Sequence, residues 1–519
     1  MPSRRTRFQL LLFLAFTVLL VATHLPYLKL PFFWDELGQF VPASLDLYHD
    51  GSWVPHSTTP NVHPPALMAV LATVWHIFGY SILATRLTML TIAGAGVTFA
   101  FLLAIRLSRG TAGAPAFAAV LFLIASPIFY TQAMMAQLDM PAMTMTILAL
   151  LLFLDRSYVV CAAACTVLVL FKETAITTPL VFALWLIFRE KRVREAFYFT
   201  APALALAGWL LVLKQSTGHW LGNAEFTEYN VGNSLRPLHL IFATGMRLYY
   251  LFISNGHFIG AIALFAGWSV LRGPAASDVS AERAASLHRA AILHRDWEIA
   301  ALVGIAQVAM VTLFGGAILD RYLVPVLPIL YAAMAAAATV YPMSWQWISQ
   351  TAMVVLLIAG WFWNPPYPYP YEDNLTMVQF VKVQKEAADY LEAYAPHLRV
   401  ASAWPFTEEL RQPAFGYVER PIQEIQAKGL HLDQLADLDR SQVDLLVVFS
   451  NVWNIGGHLI DLPQIRDFLR THFDYHPQAT PEEIESGLGY VRMFHRQRGE
   501  QWVDIYVRPR ERSAVVGSR

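Results

Sequence analysis

The chain has 519 residues, of which 56% are apolar and only 14% are charged. Soluble globular chains carry about 25% charged residues, so this composition excludes an ordinary soluble protein and favours a multi-spanning membrane protein. The net charge of −1 indicates no particular class of partner, and no basic tract of the nucleic-acid-binding type occurs.

The apolar segments are long, and the first one begins near the N-terminus. Residues 8–28 exceed the apolar core of a signal peptide and lack a small-residue cleavage site, so we expect an uncleaved first span. The further candidates are residues 82–105, 114–131, 139–154, 158–171, 174–188, 197–214, 247–271, 297–319, 323–341 and 345–363. They predict a polytopic α-helical membrane protein with about 11 transmembrane helices.

Basic residues predict the orientation, because Lys and Arg concentrate in cytoplasmic loops. The basic stretches are residues 3–7, 106–110, 189–195 and 272–295. If all are cytoplasmic, the N-terminus lies inside and the C-terminal region lies outside. Residues 63–79 are apolar enough to span, but a crossing there would place residues 106–110 outside. We therefore expect an interfacial or re-entrant segment, and the sequence leaves a crossing open.

The composition changes after residue 363. Residues 364–519 have the charged composition of a soluble domain. Apolar residues recur at helical spacing in the first part, and short apolar runs follow. This pattern predicts a soluble, extracytoplasmic α/β domain after a transmembrane domain of residues 1–363. The sequence indicates neither the role of this domain nor the oligomeric state.

The first outer loop, residues 29–64, contains the stretch FFWDELGQF with adjacent Asp35 and Glu36. Ionised carboxylates at the edge of a bilayer are costly unless they have partners or a function. On a continuous helix over residues 33–50, one side carries Asp35, Gln39, Asp46 and Asp50. We expect an amphipathic segment on the membrane surface, although a merely solvated face explains Asp46 and Asp50 equally well.

More ionisable residues lie at the predicted outer ends of the spans. They are Arg86, Asp139, Lys172, Glu173, Asp320 and Arg321. Asp139 and Lys172 interrupt otherwise apolar sequence, which makes them functional candidates. Arg86 and Arg321 are also explained as anchors that extend to the membrane surface. With the acidic pair, this set offers carboxylates for a base and cations for a phosphate at one membrane face.

The evidence for a metal site is weak. The loop histidines His49, His56 and His63 have no tight ligand spacing, although the acidic group leaves a divalent metal ion possible. Cys161 and Cys165 lie four residues apart in an apolar run, and we interpret them as core thiols. The sequence thus indicates no certain cofactor and leaves metal dependence open.

Six motifs occur in order along the chain: FFWDELGQF, HPPALMAVLATVWHIFG, ATRL, QLDMPAM, LFKETAITTPL and DRYLVPVLPIL. In this order and spacing, residues 8–363 resemble the C-type integral-membrane glycosyltransferases. The nearest group is that of the protein O-mannosyltransferases and the aminoarabinose lipid A transferases. The resemblance implies transfer of a sugar from a polyprenyl-phosphate carrier to a lipid, glycan or protein acceptor on the extracytoplasmic side.

The resemblance also implies roles for single residues. The essential acidic pair of the family corresponds to Asp35 and Glu36, and the lysine after an apolar run corresponds to Lys172. The family's arginine after the second motif corresponds to Arg86, and its aspartate before a proline corresponds to Asp139.

One position departs from the pattern of the aminoarabinose transferases. They carry a lysine where this chain has His63. The difference puts the same donor, the same acceptor and any metal site there in doubt.

The chemistry of such a transfer assigns further roles. A phosphate leaves as a stable anion, so the enzyme needs no general acid but needs a base for the acceptor hydroxyl, and we nominate Asp35. Glu36 or Asp139 would orient the acceptor or stabilise an oxocarbenium-like transition state. Attack opposite the phosphate inverts the anomeric centre.

Binding of the donor requires cations and an apolar groove. We expect Arg86, Lys172 and Arg321 to hold the donor phosphate, with His63 and Glu173 as further candidates. An apolar groove between the spans would bind the prenyl tail, in contact with membrane lipid.

Two other functions are compatible with the sequence. A multi-span transporter would use the same intramembrane charges, but it would show internal repeats, and the sequence has no evident repeat. A non-catalytic lipid-binding or assembly protein is the other alternative. The few cysteines and the lack of an organelle signal favour a bacterial inner (plasma) membrane. The sequence determines neither the sugar nor the acceptor.

Overall fold

The computed structural model describes residues 4–108, 115–232, 234–271, 281–365, 367–439, 441–451, 462–473 and 475–509. Parts of three of the basic stretches, residue 3, residues 109–110 and residues 272–280, lie outside the described residues. The chain forms two compact units. The first comprises residues 1–26 and 42–361, and the second comprises residues 27–41 and 362–519.

The regular structure described in the first unit is helical. Its α-helices are α1 (Arg4–His24), α2 (Val41–Asp50), α3 (Ala66–Phe78), α4 (Ile82–Leu107), α5 (Pro115–Ala125), α6 (Pro127–Gln132), α7 (Asp139–Leu154), α8 (Tyr158–Phe171), α9 (Thr177–Phe188), α10 (Val193–Ala196), α11 (Thr200–Thr217), α12 (Ala224–Thr227), α13 (Pro237–Phe252), α14 (His257–Leu271), α15 (Ala281–Phe314), α16 (Leu327–Ala337) and α17 (Met343–Ala359). Two 3-10 segments, Glu173–Ile176 and Asp320–Leu323, matter for the site described below.

Several helices are long and apolar enough to cross a membrane. Among the described residues they are Thr6–Tyr27, Ile82–Leu107, Val193–Thr217 and His294–Phe314. The bent pair α13 and α14 adds a fifth if it is one span, and shorter apolar helices of 10–17 residues accompany them. These features are those of a multi-pass membrane protein, as predicted, and the number of crossings stays a prediction.

Helices α7 and α8 begin and end at the predicted residues. Both are apolar and contain no charge between Met140 and Leu154 or between Tyr158 and Phe171. Charged or polar residues flank them, so the apolar pattern alone sets their ends. Helix α3 has 13 residues, fewer than the roughly 20 that a full crossing needs.

The predicted span 114–131 is broken. Helix α5 ends at Ala125 and α6 begins at Pro127, while Ser126 has an extended conformation with ψ of 126°. Proline has no N–H to donate and disfavours the helical conformation in the residue before it. The break therefore follows from a proline inside an apolar run.

The predicted span over residues 247–271 differs from the structure in its first residue and is bent. Helix α13 begins ten residues earlier, at Pro237, and a 43° bend separates it from the following helical segment. Asn255 and Gly256 have φ of +50° and +88° in the bend. A Cβ on Gly256 would lie 2.6 Å from Cβ of Leu356, so both the backbone conformation and the space require glycine.

The first outer loop does not form the continuous surface helix predicted over residues 33–50. Residues 36–40 form a π-helical turn before α2, and residues 40–46 are all buried. A π turn changes the angle between successive side chains, so a continuous α-helical wheel does not apply. Asp46 is buried, and its Oδ2 accepts the main-chain N–H groups of His56 at 2.8 Å and Ser57 at 2.9 Å. An acidic face turned towards solvent is therefore wrong for Asp46.

The second unit contains a five-stranded mixed sheet near the C-terminus. Its strands are β1 (Val400–Ser402), β2 (Glu424–Gln426), β3 (Leu445–Phe449), β4 (Val491–Arg498) and β5 (Gln501–Val507), and its α-helices are α18 (Thr376–Tyr394), α19 (Phe406–Arg411), α20 (Leu432–Ala436) and α21 (Pro463–Phe473). The strand order is β2-β1-β3-β5-β4. Strands β1, β2 and β3 are parallel, and β5 pairs antiparallel with β3 and β4. Helix α18 packs on β4 and β5.

Candidate active site

The segment that carries Asp35 is held by the second unit to which it belongs. The main chain of Phe32 makes two hydrogen bonds: its N–H donates to the Phe415 carbonyl at 3.1 Å, and its carbonyl accepts the Tyr417 hydroxyl at 2.9 Å. The ring of Phe33 packs edge-on against Phe380, with centroids 5.6 Å apart. The residues before Asp35 therefore have defined positions.

Trp34, directly before Asp35, has an unusual backbone conformation. Its φ is +53°, in the left-handed region that residues other than glycine seldom adopt. Its indole packs edge-on against Trp404, with ring centroids 4.5 Å apart. A Cβ on Gly38 would lie 3.2 Å from Cζ2 of Trp404, so the segment approaches this indole closely. Asp35 follows the strained residue and is partly exposed.

The two neighbouring carboxylates differ in their surroundings. Glu36 is fully buried, and its Oε2 accepts the main-chain N–H of Phe33 at 3.0 Å. This bond closes the turn around Trp34, because it joins residues three apart. Asp35 begins the π-helical turn and makes no such side-chain cap. Glu36 is therefore the buried carboxylate of the pair, and Asp35 is the partly exposed one.

The first unit brings Asp139, Lys172 and Arg321 together. Asp139 is the first residue of α7, where the positive end of the helix dipole favours a carboxylate. Lys172 follows α8 in an extended conformation, and its Nζ donates to Oδ1 of Asp139. Arg321 lies in the 3-10 segment 320–323, with Nε 3.6 Å from Oδ2 of Asp139. All three side chains are buried.

An aromatic ring lies beside the two cations of this group. Nζ of Lys172 is 4.3 Å from the ring centroid of Tyr322, and Cζ of Arg321 is 5.6 Å from it. Cations interact favourably with the face of an aromatic ring at such distances.

His63 and Glu173 form a pair next to Lys172 in the chain. Nδ1 of His63 lies 3.0 Å from Oε2 of Glu173, and the His63 ring packs edge-on against Phe226 at 5.7 Å. Both side chains of the pair are largely buried, with exposed fractions of 16% and 14%. The structure thus joins two predicted candidates that are 110 residues apart in sequence.

Arg86 and Arg321 are not surface anchors. Both are buried, with exposed fractions of 0% and 3%. Nη1 of Arg86 donates to the main-chain carbonyl of Met134 at 3.0 Å, which connects α4 to the loop before α7. The interpretation of these two arginines as snorkelling side chains is therefore wrong.

Arg247, within α13, is a further buried cation that was not among the residues predicted from the sequence. Its side chain is 2% exposed, and its Nε and Nη1 have no hydrogen-bond partner among the described residues. The charges of Asp320 and Tyr322 lie within its electrostatic reach. Arg247 is the one Lys, Arg, Asp or Glu of residues 237–252, and a lone charge inside an apolar helix is a sign of function. The predicted span began at residue 247, which placed Arg247 at its end and not inside the helix.

Asp320 is a carboxyl group with a perturbed acidity in the same region. Burial raises the pKa of Asp320 to about 7, and the positive charge of Arg247 opposes that rise. The carboxyl group is therefore partly protonated near neutral pH. The negative charge that Asp320 places near Arg247 is consequently smaller than that of an ordinary aspartate.

The described residues contain no group of three or more His, Cys, Asp or Glu side chains arranged to hold a metal ion. In the first unit, the group described above consists of Asp139, Lys172 and Arg321 beside Tyr322.

No model of a known protein family matches this sequence, and no curated protein sequence matches it. Solved structures do match its fold. ArnT from Cupriavidus metallidurans bound to undecaprenyl phosphate has a TM-score of 0.53 and 14% identity, over 96% of this chain and 97% of that chain. The apo state of the same protein gives 0.51 and 15% identity, over 95% and 98%. ArnT is an aminoarabinose transferase of the C-type group. This chain therefore shares the fold of ArnT, a member of the group that its sequence motifs resemble.

Proposed function

We propose that this protein transfers a sugar from a polyprenyl-phosphate carrier to an acceptor on the extracytoplasmic side of the membrane, with inversion of the anomeric centre. The acceptor is a lipid, a glycan or a protein. The proposed location is a bacterial inner membrane, with the N-terminus in the cytoplasm and residues 364–519 outside.

The observation that carries the proposal is the buried group of cations around Tyr322. Lys172, Arg247 and Arg321 contribute three positive charges against the carboxyl groups of Asp139 and Asp320. Burial raises the pKa of Asp320 to about 7, so this carboxyl group offsets less positive charge near neutral pH than an ordinary aspartate. Glu173, beside Lys172, is already paired with His63. Buried charge without compensation is costly, and an anionic ligand would supply the compensation.

A phosphate suits this set of side chains. Nε and Nη1 of Arg247 have no hydrogen-bond partner among the described residues, and guanidinium N–H groups suit phosphate oxygens, while Lys172 acts as a point charge. ArnT, which shares the fold, binds undecaprenyl phosphate. The prenyl chain would lie along the apolar helices of the first unit.

We assign the role of base to Asp35. It is the partly exposed member of the acidic pair, whereas Glu36 is buried and bonded to the main chain of Phe33. A base must contact the acceptor hydroxyl, and a buried carboxylate that closes a turn is poorly suited to that. We therefore assign Glu36 a positioning role.

Asp139 receives a similar role in the cation group. Its two oxygens pair with Lys172 and Arg321, so it orients both cations for the donor phosphate. Arg86 acts through the carbonyl of Met134, which fixes the loop before α7. The pair of His63 and Glu173 supports the chain at Lys172.

The test is a donor screen with purified full-length protein. We expect release of polyprenyl phosphate from at least one labelled polyprenyl-phosphate sugar when an acceptor extract is present. Asp35→Asn should abolish turnover but leave donor binding. Lys172→Gln should weaken donor binding by about tenfold or more, because a charge-assisted hydrogen bond contributes roughly 1.5–3 kcal/mol.

Lys214→Gln is the matched control, because Lys214 is an exposed lysine at the end of α11. It should bind donor and turn it over like the wild type. Binding of the donor without turnover across the panel would support the lipid-binding alternative. Full turnover by Asp35→Asn would refute the assignment of the base.

A further inference from the structure

The second unit has a groove of about 670 Å³ between α18 and β4. Its volume lies within the range of ligand pockets, about 300–1,000 Å³. Two regular rows of side chains line it. The helix contributes Glu386, Tyr390 and Tyr394 at a spacing of four, and the strand contributes Phe494, Arg496 and Arg498 at a spacing of two.

One end of the groove is aromatic. The rings of Tyr390 and Phe494 have centroids 4.6 Å apart, and those of Tyr390 and Tyr394 are 4.9 Å apart. All three rings are partly exposed rather than enclosed in the core. A partly exposed group of three aromatic rings presents an apolar surface with a hydroxyl on two of its members.

The rest of the lining is polar, and Cζ of Arg496 lies over the Phe494 ring, 4.9 Å from its centroid. Nε of Arg498 donates to Oε1 of Glu386 at 3.0 Å, and Nε of Arg496 lies 3.7 Å from Oε2 of the same carboxylate. Asp389 supplies a second acid in the lining. Both arginines pair with Glu386, whereas Asp389 pairs with Lys385 outside the lining; the lining residues by themselves carry no net formal charge.

We propose that this groove binds a neutral oligosaccharide. A sugar ring has an apolar C–H face, which suits the aromatic end, and hydroxyl groups that both donate and accept hydrogen bonds. The paired guanidinium and carboxylate groups provide donors and acceptors in fixed positions. An anionic or cationic ligand would have to separate the ion pairs around Glu386, so the charge balance favours an uncharged ligand.

The proposal concerns binding alone and does not depend on the proposed transfer reaction. If the reaction holds as well, the groove would hold part of a glycan acceptor or product. The binding experiment below uses neither donor nor turnover, so its failure and the failure of the transfer reaction are distinguishable.

The probes are neutral tetrasaccharides: maltotetraose, cellotetraose, mannotetraose and chitotetraose. Binding to full-length protein in detergent is measured by saturation-transfer NMR. We expect at least one probe to bind, with Tyr390→Ala or Phe494→Ala weakening its affinity by about tenfold. Tyr390→Phe should retain most of the affinity, because the ring face is kept.

Arg496→Ala tests the polar end with little risk to folding, since this side chain is 57% exposed. We expect it to weaken binding severalfold. The matched control is Phe468→Ala, a partly exposed aromatic residue on α21 of the same unit. Three results would each overturn the proposal: no probe binds, Arg496→Ala and Tyr390→Ala both bind like the wild type, or Phe468→Ala loses as much affinity as they do.

Discussion

The indole of Trp404 packs edge-on against the indole of Trp34, with ring centroids 4.5 Å apart. Trp34 is the residue directly before the proposed base Asp35. Trp34 has a φ of +53°, a conformation that costs a residue other than glycine about 1–3 kcal/mol and persists only where surrounding contacts impose it. Trp404 supplies one of those contacts. A residue of the C-terminal sheet region therefore helps to define the backbone at the start of the acidic pair.

We predict that Trp404→Ala lowers kcat by about 10- to 100-fold with little change in the KM for donor. Loss of the indole leaves the backbone at Trp34 free to relax, and small displacements of a base are costly to the reaction rate. Steady-state kinetics on the best donor of the panel measure both parameters. Trp404→Phe should recover part of kcat, and Phe468→Ala serves as the control. An unchanged kcat in Trp404→Ala would contradict the positioning role.

We predict opposite outcomes for the amides of the acidic pair. Glu36→Gln keeps an oxygen that accepts the N–H of Phe33, so most activity should remain. Asp35→Asn removes the base, and activity should fall by at least about 100-fold. Turnover of both variants at saturating donor measures the difference. Equal losses in the two variants would show that Glu36 also takes part in the chemistry.

We predict that Arg247→Gln raises the Kd for the lipid-phosphate donor by roughly 10- to 100-fold, because it removes a charged hydrogen-bond donor from a buried anion site. Arg236→Gln is the matched control, since Arg236 is an exposed arginine directly before the same helix. Binding of labelled donor to both purified variants provides the measurement. A similar weakening in the control would point to a general electrostatic effect.

We predict that the affinity for donor falls as the pH rises through about 7. Burial raises the pKa of Asp320 to about 7, so its carboxyl group gains negative charge in this range. That charge repels the donor phosphate and offsets Arg247. A polyprenyl-phosphate sugar is a phosphodiester without a second ionisation, so the ligand itself does not titrate there. Asp320→Asn should reduce the pH dependence between 6 and 8, and an unchanged slope would reject this explanation.

We predict that Glu409→Gln stabilises the second unit at pH 8. Glu409 is fully buried, and burial raises its pKa well above the ordinary value near 4.5. Because the folded-state pKa is the higher one, the free energy of unfolding is greatest below about pH 4.5 and declines as the pH rises towards the folded-state pKa. The free energy of unfolding of Glu409→Gln should not show this decline, because glutamine does not ionise.

Thermal unfolding of Glu409→Gln and wild type at pH 5 and pH 8 measures this effect. The gain in stability should be larger at pH 8 than at pH 5. The exposed Glu482 offers the control Glu482→Gln, which should change little at either pH. A variant that is less stable than the wild type at pH 8 would contradict a protonated Glu409.

The local sequence predicted the helices well wherever apolarity and its limits decided the structure. Helices α7 and α8 match because charged or polar residues flank uninterrupted apolar runs. The break at Pro127 was also readable, since proline removes a helical donor, but the apolar run around it dominated the prediction. The bend at Asn255 and Gly256 coincides with an Asn-Gly pair, a local turn signal that the apolar sequence around it outweighed in the prediction. The close approach of Leu356 to Gly256 joins residues a hundred positions apart, and local sequence does not contain it.

The sequence by itself determined the membrane class, the candidate residues and the resemblance to a group of glycosyltransferases. Composition, the length of apolar segments and the order of motifs are properties of the sequence and need no tertiary structure. Tertiary structure decided how those candidates are used. It paired His63 with Glu173, placed Asp139 between Lys172 and Arg321, and buried Arg247 beside Asp320. It also buried Glu36 while leaving Asp35 partly exposed. Residues 27–41 belong to the same compact unit as residues 362–519. The physical reason is that burial and hydrogen-bond partners come from residues distant in sequence.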